Sequence, residues 1–257
     1  MLQSKEVVGK ECHDVSYFEK LQERIEYNKH ILKIGKYSQH GEEGILEYLS
    51  NLIGTTNKIC VEFGACDGKQ ISNTLYFEKT YGWQRILFEA DQKYKTSDSS
   101  INFIALTPEN INQVFEECGV PFEPELVSID IDSYDFWIWK AMQIQPKMVI
   151  IEINHGLKNS EPYTVLYGSH IKYKGGYAGA NFKAMYELGK SKGYHLITMV
   201  GHNNLIFLRE DLFSAHNLEN PDPKTIEKLM NNASYKTKAV KRTDGVWINP
   251  FLITDPE

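Results

Sequence analysis

The sequence predicts an α/β protein: a seven-stranded, mostly parallel sheet closed by a terminal antiparallel hairpin and preceded by an N-terminal helical layer. Three observations predict it. Short apolar runs rich in Val and Ile alternate with stretches of helical periodicity between residues 59 and 192. The first run leads straight into Glu62-Phe-Gly-Ala-Cys-Asp-Gly68, a glycine turn of the kind that opens a nucleotide pocket at a strand end. Near the end of the pattern, Gly201-His-Asn-Asn204 joins two apolar runs by so short a turn that those strands must be antiparallel.

Taken in order, the helical layer comes first. Phe18, Leu21, Ile25 and Ile31 recur at helical spacing within 16–32, and Ile45, Leu46, Leu49 and Leu52 repeat it within 41–53, ending near Gly54. Residues 59–63 form the first strand and 72–81 a helix; 85–88 and 102–106 are the second and third strands. A helix over 108–118 puts Pro108 in its first turn, where a missing N–H costs nothing. Residues 126–131 are the fourth strand, 136–142 a helix and 148–153 the fifth strand, whose Val149-Ile-Ile151 run suits burial on both faces. A helix over 181–192 precedes the hairpin strands 194–200 and 205–208. With no repeat, low-complexity tract or linker, the chain reads as one domain: N-terminal helices over 1–54, a core over 55–212 and an extension over 213–257.

Composition narrows the partners. The 257 residues can bury a substantial core, and a net charge of −6 argues against nucleic acid as a partner. Cys12, Cys60, Cys66 and Cys118 show no metal-ligand spacing, which fits a reduced, cytoplasmic protein. The N-terminus has no signal-peptide core, and no apolar run approaches membrane-spanning length. A homo-oligomer is compatible with all of this.

Ligands of open α/β sheets sit beyond the carboxyl ends of the strands, so the residues there are the functional candidates. The first strand delivers Glu62, Gly64, Asp67 and Gly68; the second delivers Glu89, Ala90 and Asp91. The fourth delivers Asp130 and Asp132, with Asp135 just beyond, and the fifth delivers Glu152, Asn154 and His155. Gly64 and Gly68 let backbone approach a ligand, and Glu89, 21 residues past Gly68, suits both hydroxyls of a ribose; Glu62 and Ala90 are expected to complete this cofactor pocket. Cys66 stands where a pyrophosphate cradle has its middle glycine, which favours S-adenosylmethionine (SAM), a cofactor without phosphate. Any one acid could instead cap a helix, and Asp135 suits that role better than a ligand's.

Asp130 and Asp132 share a face if the chain there is extended, and like charges so close are costly without a cation. A divalent metal, magnesium or manganese, held by Asp130 or Asp132 with Glu152 and Asn154 would supply one. In the metal-free alternative Asp130 binds the methionine amino group of SAM. Methyl transfer requires an aligned acceptor and removal of its proton. His155, of a residue type suited to proton transfer, is the first candidate base and Asp132 the next; His170 and His202 lie on loops that can also face the pocket. The segment 156–179 carries Tyr163, Tyr167, Tyr173 and Tyr177 with Lys158, Lys172 and Lys174, and reads as a lid over a sugar or its anionic carrier, or as disorder.

The motifs also carry a resemblance. Tyr37-Ser-Gln-His-Gly-Glu-Glu-Gly-Ile45 is similar to the opening block of FkbM-type methyltransferases. Val61 to Gly68, Ser72-Asn-Thr74, Gly82-Trp83 through Glu89, Ser128 to Asp135 with Trp137-Ile-Trp139, Val149 to Asn154, Gly179-Ala180 through Tyr194 and Phe207 to Asp211 continue the series in order. The acids after the fourth and fifth strands also resemble those of catechol O-methyltransferase, although Ile153 splits the acid–amide pair. Ser133, in place of a common glycine, and His155-Gly156 depart from the FkbM-type pattern beside the acceptor. The resemblance implies a class I methyltransferase fold and SAM-dependent O-methylation of a sugar hydroxyl on a nucleotide-linked, capsule, polysaccharide or other glycan precursor. A phosphate-type or natural-product oxygen is the alternative acceptor, and a non-catalytic SAM-fold binding module the alternative role. It also implies that Gln39 and Asn73 approach the methionine end of SAM, Glu89 the ribose and Asp130 the sulfonium side. Residues 213–257 fall outside it; 221–231 reads as a helix and 236–242 as a basic run.

Overall fold

A computed structural model describes residues 37–95, 100–168, 179–233 and 247–252. Its strands are β1 (Ile59–Phe63), β2 (Gln84–Phe88), β3 (Ile101–Asn102), β4 (Leu126–Ile129), β5 (Met148–Glu152), β6 (Thr164–Val165), β7 (Tyr194–Val200), β8 (Asn204–Arg209) and β9 (Trp247–Ile248). Seven of them make one sheet in the order β3-β2-β1-β4-β5-β8-β7. The first five are parallel; β8 runs antiparallel between β5 and β7. This is the class I methyltransferase topology that the alternating pattern and the final hairpin predict. Phe63 pairs with Phe88 and Ile129, and Ile129 with Ile151, so the carboxyl ends of β1, β2, β4 and β5 are level and their following residues collect on one edge.

Among the described residues seven α-helices flank the sheet: α1 (Glu42–Ile53), α2 (Leu75–Tyr81), α3 (Ile111–Glu117), α4 (Asp135–Ala141), α5 (Phe182–Ser191), α6 (Glu210–Ala215) and α7 (Pro223–Ala233). Strand alternation sends Val61, Phe63, Phe88 and Ile129 into a core with Phe115, Trp139 and Phe182. On the opposite face Cys60, Leu126, Ile150 and Leu208 pack with Leu46 and Leu49 of α1, Phe77 of α2 and Phe213 just past the start of α6. Both faces are buried, which is why the strands read as continuous apolar runs rather than alternating ones. Among the described residues no helix is long and apolar enough to cross a membrane.

Several boundaries differ from expectation, each for a local reason. The helix expected over 72–81 begins at Leu75, because the Ser72 hydroxyl oxygen accepts the Leu75 N–H (3.1 Å) and Ser72 to Thr74 are held on the Glu62 carboxylate. The helix expected over 108–118 begins at Ile111. Asn110 Oδ1 accepts the Thr107 N–H (2.8 Å) and Thr107 Oγ1 accepts the Asn110 N–H (3.2 Å), so Pro108 lies in the preceding turn and not in the helix. The third strand is two residues long instead of 102–106, since Ile104 N–H turns back to the Asn102 carbonyl (2.9 Å). The small β6–β9 sheet was not anticipated, because two-residue strands carry no readable period. Residues 16–32, His170, Tyr173, Tyr177, Lys172, Lys174 and 236–242 lie outside the described residues.

Candidate active site

The glycine turn after β1 is held from beneath by two buried charges. The Glu62 carboxylate accepts from Ser72 Oγ (2.7 Å), Asn73 N–H (2.9 Å), the Thr74 hydroxyl and Arg85 Nη2 (3.1 Å). Arg85 also donates to the Gly68 carbonyl (2.9 Å) and to Thr74 Oγ1 (2.8 Å). Glu62 thus spends its acceptors on the protein itself and ties the end of the turn to the start of α2. Gly64 has φ +67°, and a Cβ there would fall 1.7 Å from the Asp130 carbonyl oxygen. Only glycine lets the end of β1 pass so close to the end of β4. Gly68 (φ +71°) closes the turn against Leu87.

Cys66 between them is also left-handed, with φ +49°, and its N–H donates to Glu89 Oε2 (2.7 Å). Glu89 Oε1 accepts the Asp91 N–H (2.7 Å). Two backbone donors therefore fix the Glu89 carboxylate at the end of β2, and each oxygen keeps a second lone pair. Ala90, next in the chain, is exposed. The Tyr37 carbonyl accepts the Ser72 N–H (2.9 Å), which brings the segment carrying the exposed Gln39 alongside Asn73. The Asn73 amide in turn donates to Ser128 Oγ of β4 (3.0 Å).

The second half of the rim is acidic. Asp130, Asp132 and Glu152 each offer a carboxylate oxygen within 4.8 Å of the others. Strand alternation does not bring the two aspartates together, because β4 stops at Ile129 and Asp132 is left-handed with φ +57°. The turn is instead clamped by Asp135, whose carboxylate accepts the Ile131 N–H (2.8 Å) and the Ser133 N–H (3.1 Å). Asp135 is thus the first residue of α4 and not its N-cap, which is Tyr134. The Ser133 hydroxyl donates to the Ile131 carbonyl (3.2 Å), tightening the same turn.

All these acids are raised, Asp132 despite its exposure. Asp130 stands well above the usual carboxylate range through burial, reinforced by the charges of Glu152, Asp135 and Asp132. Burial raises Glu152 as well, although a hydrogen bond from Asn203 Nδ2 (2.8 Å) favours its charged form. Asp132 is raised by burial and by Glu89, and Asp135 is pushed up to about 7 by burial. Asn203 joins the candidate site through its bond to Glu152, and residue type alone does not single it out; its place in the 201–204 turn is the signal. Its neighbour Asn204 donates to Glu42 Oε1 (2.7 Å), fastening the hairpin to α1.

Asn154 and His155 stand differently from the acids. Asn154 Oδ1 accepts the Gly156 N–H (2.9 Å) and its own N–H donates to the Ala180 carbonyl (2.8 Å), so this residue shapes the exit from β5. His155 is exposed and does not join the acid cluster.

No protein family and no curated protein matches the chain. Among solved structures it is similar to the N-terminal domain of EvdMO1 with SAH bound, at 8% identity and a TM-score of 0.36 over 72% of this chain and 96% of that one. The same domain in the presence of SAH and D-fucose gives 8% identity and a TM-score of 0.38 over the same shares. Strand order and register, not this likeness, define the fold.

Proposed function

We propose that the chain is a SAM-dependent O-methyltransferase that acts on a sugar hydroxyl of a nucleotide-linked or polysaccharide precursor. The observation that carries this reading is the convergence on one sheet edge of the glycine turn, the fixed Glu89 carboxylate and the acid cluster, in a class I methyltransferase topology. The ordered motif blocks from Tyr37 to Asp211 support FkbM-type kinship. Free thiols at Cys60, Cys66 and Cys118 fit a cytoplasmic protein.

In this reading Gly64, Gly68 and Ala90 line the cofactor, Glu89 accepts from its ribose, and Gln39, Asn73 and Asp130 meet its methionine end. Glu62 acts through the turn it anchors. SAM, when bound, supplies an electrophilic methyl group; the chain must orient the acceptor, exclude water and take the proton. Asp132 in the acid rim and His155, exposed at the exit from β5, are the two candidates for that proton.

A magnesium or manganese ion fits the donor set of Asp130, Asp132 and Glu152: three hard oxygens, of which burial opposes the ionisation of Asp130 and Glu152 and a cation would favour it. Asn154 completes the set by its amide oxygen only if that oxygen shares itself with Gly156. Bound there, the ion would stabilise charge on an acceptor oxygen.

Transfer of labelled methyl from SAM to a panel of acceptors tests the proposal. Label should appear in nucleotide-linked sugars or glycan precursors. Label confined to phosphate-type or other non-sugar oxygens would contradict the sugar assignment, and SAH binding without transfer to any acceptor would contradict catalysis.

A further inference from the structure

Beside the acid rim stands a group of aromatic side chains that the cofactor assignment does not use. Tyr134 lies two residues past Asp132, on the turn that Asp135 clamps. Gly179 N–H donates to the Ser133 carbonyl (2.7 Å) of this turn, and the Gly179 carbonyl accepts the Val165 N–H (3.1 Å). Backbone bonds therefore tie β6 to the acid turn, and Tyr167, two residues past Val165, is set against Tyr134. The rings meet edge to face, with centroids 5.0 Å apart and planes at 75°.

Tyr167 is also fixed from two other sides. Its hydroxyl bonds the Glu109 carboxylate in the turn before α3. Its ring leans on Trp137 of α4 (6.2 Å), whose indole N–H donates to the Val165 carbonyl (2.8 Å). Tyr134 and Tyr167 nonetheless remain only half-buried. Tyr134 packs on one side against the small cluster of Leu157, Val165 and Trp247, yet part of each tyrosine is still exposed. A preorganised aromatic surface loses little entropy when a ligand settles on it.

We infer that Tyr134 and Tyr167 form the stacking wall of the acceptor subsite, and that it takes the apolar C–H face of a pyranose ring while the neighbouring acids receive the ring's hydroxyls. The inference rests on the methyltransferase reading above and adds to it two specificity-determining residues. Aromatic faces beside a few convergent polar groups are the usual composition of a small-molecule site. Tyr167 serves as a surface, not as an acid or base: burial and Glu109 push its hydroxyl up to about 12, so it stays neutral.

The test is saturation-transfer NMR on the full chain loaded with SAH, using methyl glucopyranoside, methyl mannopyranoside and methyl galactopyranoside as probes. Tyr134→Leu and Tyr167→Leu fill the volume without offering an aromatic face, and Tyr167→Phe keeps the face but loses the Glu109 bond. SAH affinity is measured on every variant. The expected result is transfer to ring C–H protons of at least one glycoside, weakened about tenfold in each leucine variant and less in Tyr167→Phe, with SAH affinity unchanged.

No glycoside signal on SAH-loaded protein would overturn the inference, as would a signal that both leucine variants retain. A signal from catechol but from no glycoside would overturn it too. Loss of SAH affinity in the leucine variants with glycoside binding intact would assign the wall to the cofactor and equally overturn it. Failure of the unmodified chain to bind SAH would be a different result, striking the methyltransferase reading itself.

Discussion

Arg85 Nη2 lies 3.1 Å from Glu62 Oε2, and only 5% of either side chain reaches solvent. The pair spans the glycine turn: Glu62 holds Ser72 to Thr74, and Arg85 holds the carbonyl of Gly68. Replacing one partner leaves the other charged and buried. Arg85→Met is therefore expected to destabilise the protein by about 3–5 kcal/mol, measured by urea unfolding. A loss below about 1 kcal/mol would mean that the turn does not depend on this pair.

Two glycines with nearly the same backbone angle separate strain from close approach. Gly64 (φ +67°) faces the Asp130 carbonyl at 1.7 Å from an added Cβ, whereas Gly82 (φ +66°) faces open space. Gly82→Ala should cost only the left-handed strain, roughly 1–2 kcal/mol. Gly64→Ala must also push β1 from β4, so it should cost more and abolish SAH binding. Equal losses in thermal stability would refute the packing role given to Gly64.

The acid rim sets a pH dependence whose sign is fixed. Asp130, Asp132, Asp135 and Glu152 all titrate higher folded than unfolded, Asp135 near 7. Between about pH 4 and pH 7 the native state then holds more protons than the unfolded state, so these groups make stability fall as pH rises through that window. Carboxylates held low by a cation, such as Asp211 beside Arg209, act at lower pH. The metal-free protein should melt at a higher temperature at pH 5 than at pH 8, and Asp130→Asn should flatten the difference while removing activity. Manganese should raise the melting temperature at pH 8 and hardly at all at pH 5, because its ligands must first lose protons. A manganese effect independent of pH would rule the acid cluster out as its site.

Asn203 offers a finer probe of the same cluster. Its amide favours the charged form of Glu152, so Asn203→Leu should raise the Glu152 pKa and move the acid limb of the pH–rate profile to higher pH. An unshifted limb would detach Glu152 from the rate.

What was legible in the sequence follows the physics of each feature. β-branched runs buried on two faces and the short turn at 201–204 carry strong local signals, and the sheet followed from them. Glu62, Glu89 and the acids are legible as candidates because they sit at strand ends. Their roles were less legible: Glu62 proves to be an anchor, which depends on Arg85 and Thr74 arriving from elsewhere in the chain. Strand alternation predicts the meeting of Asp130 with Asp132, but a left-handed turn achieves it. Asn203, Tyr134 and the β6–β9 sheet depend on contacts between distant segments, which no periodicity records.

The most direct test of the central claim is titration calorimetry of SAH, the product form of the cofactor, into the full chain at neutral pH. One-to-one binding that Glu89→Ala weakens by about 1–3 kcal/mol is the predicted result. Absence of any binding heat with the unmodified, folded protein would contradict the account.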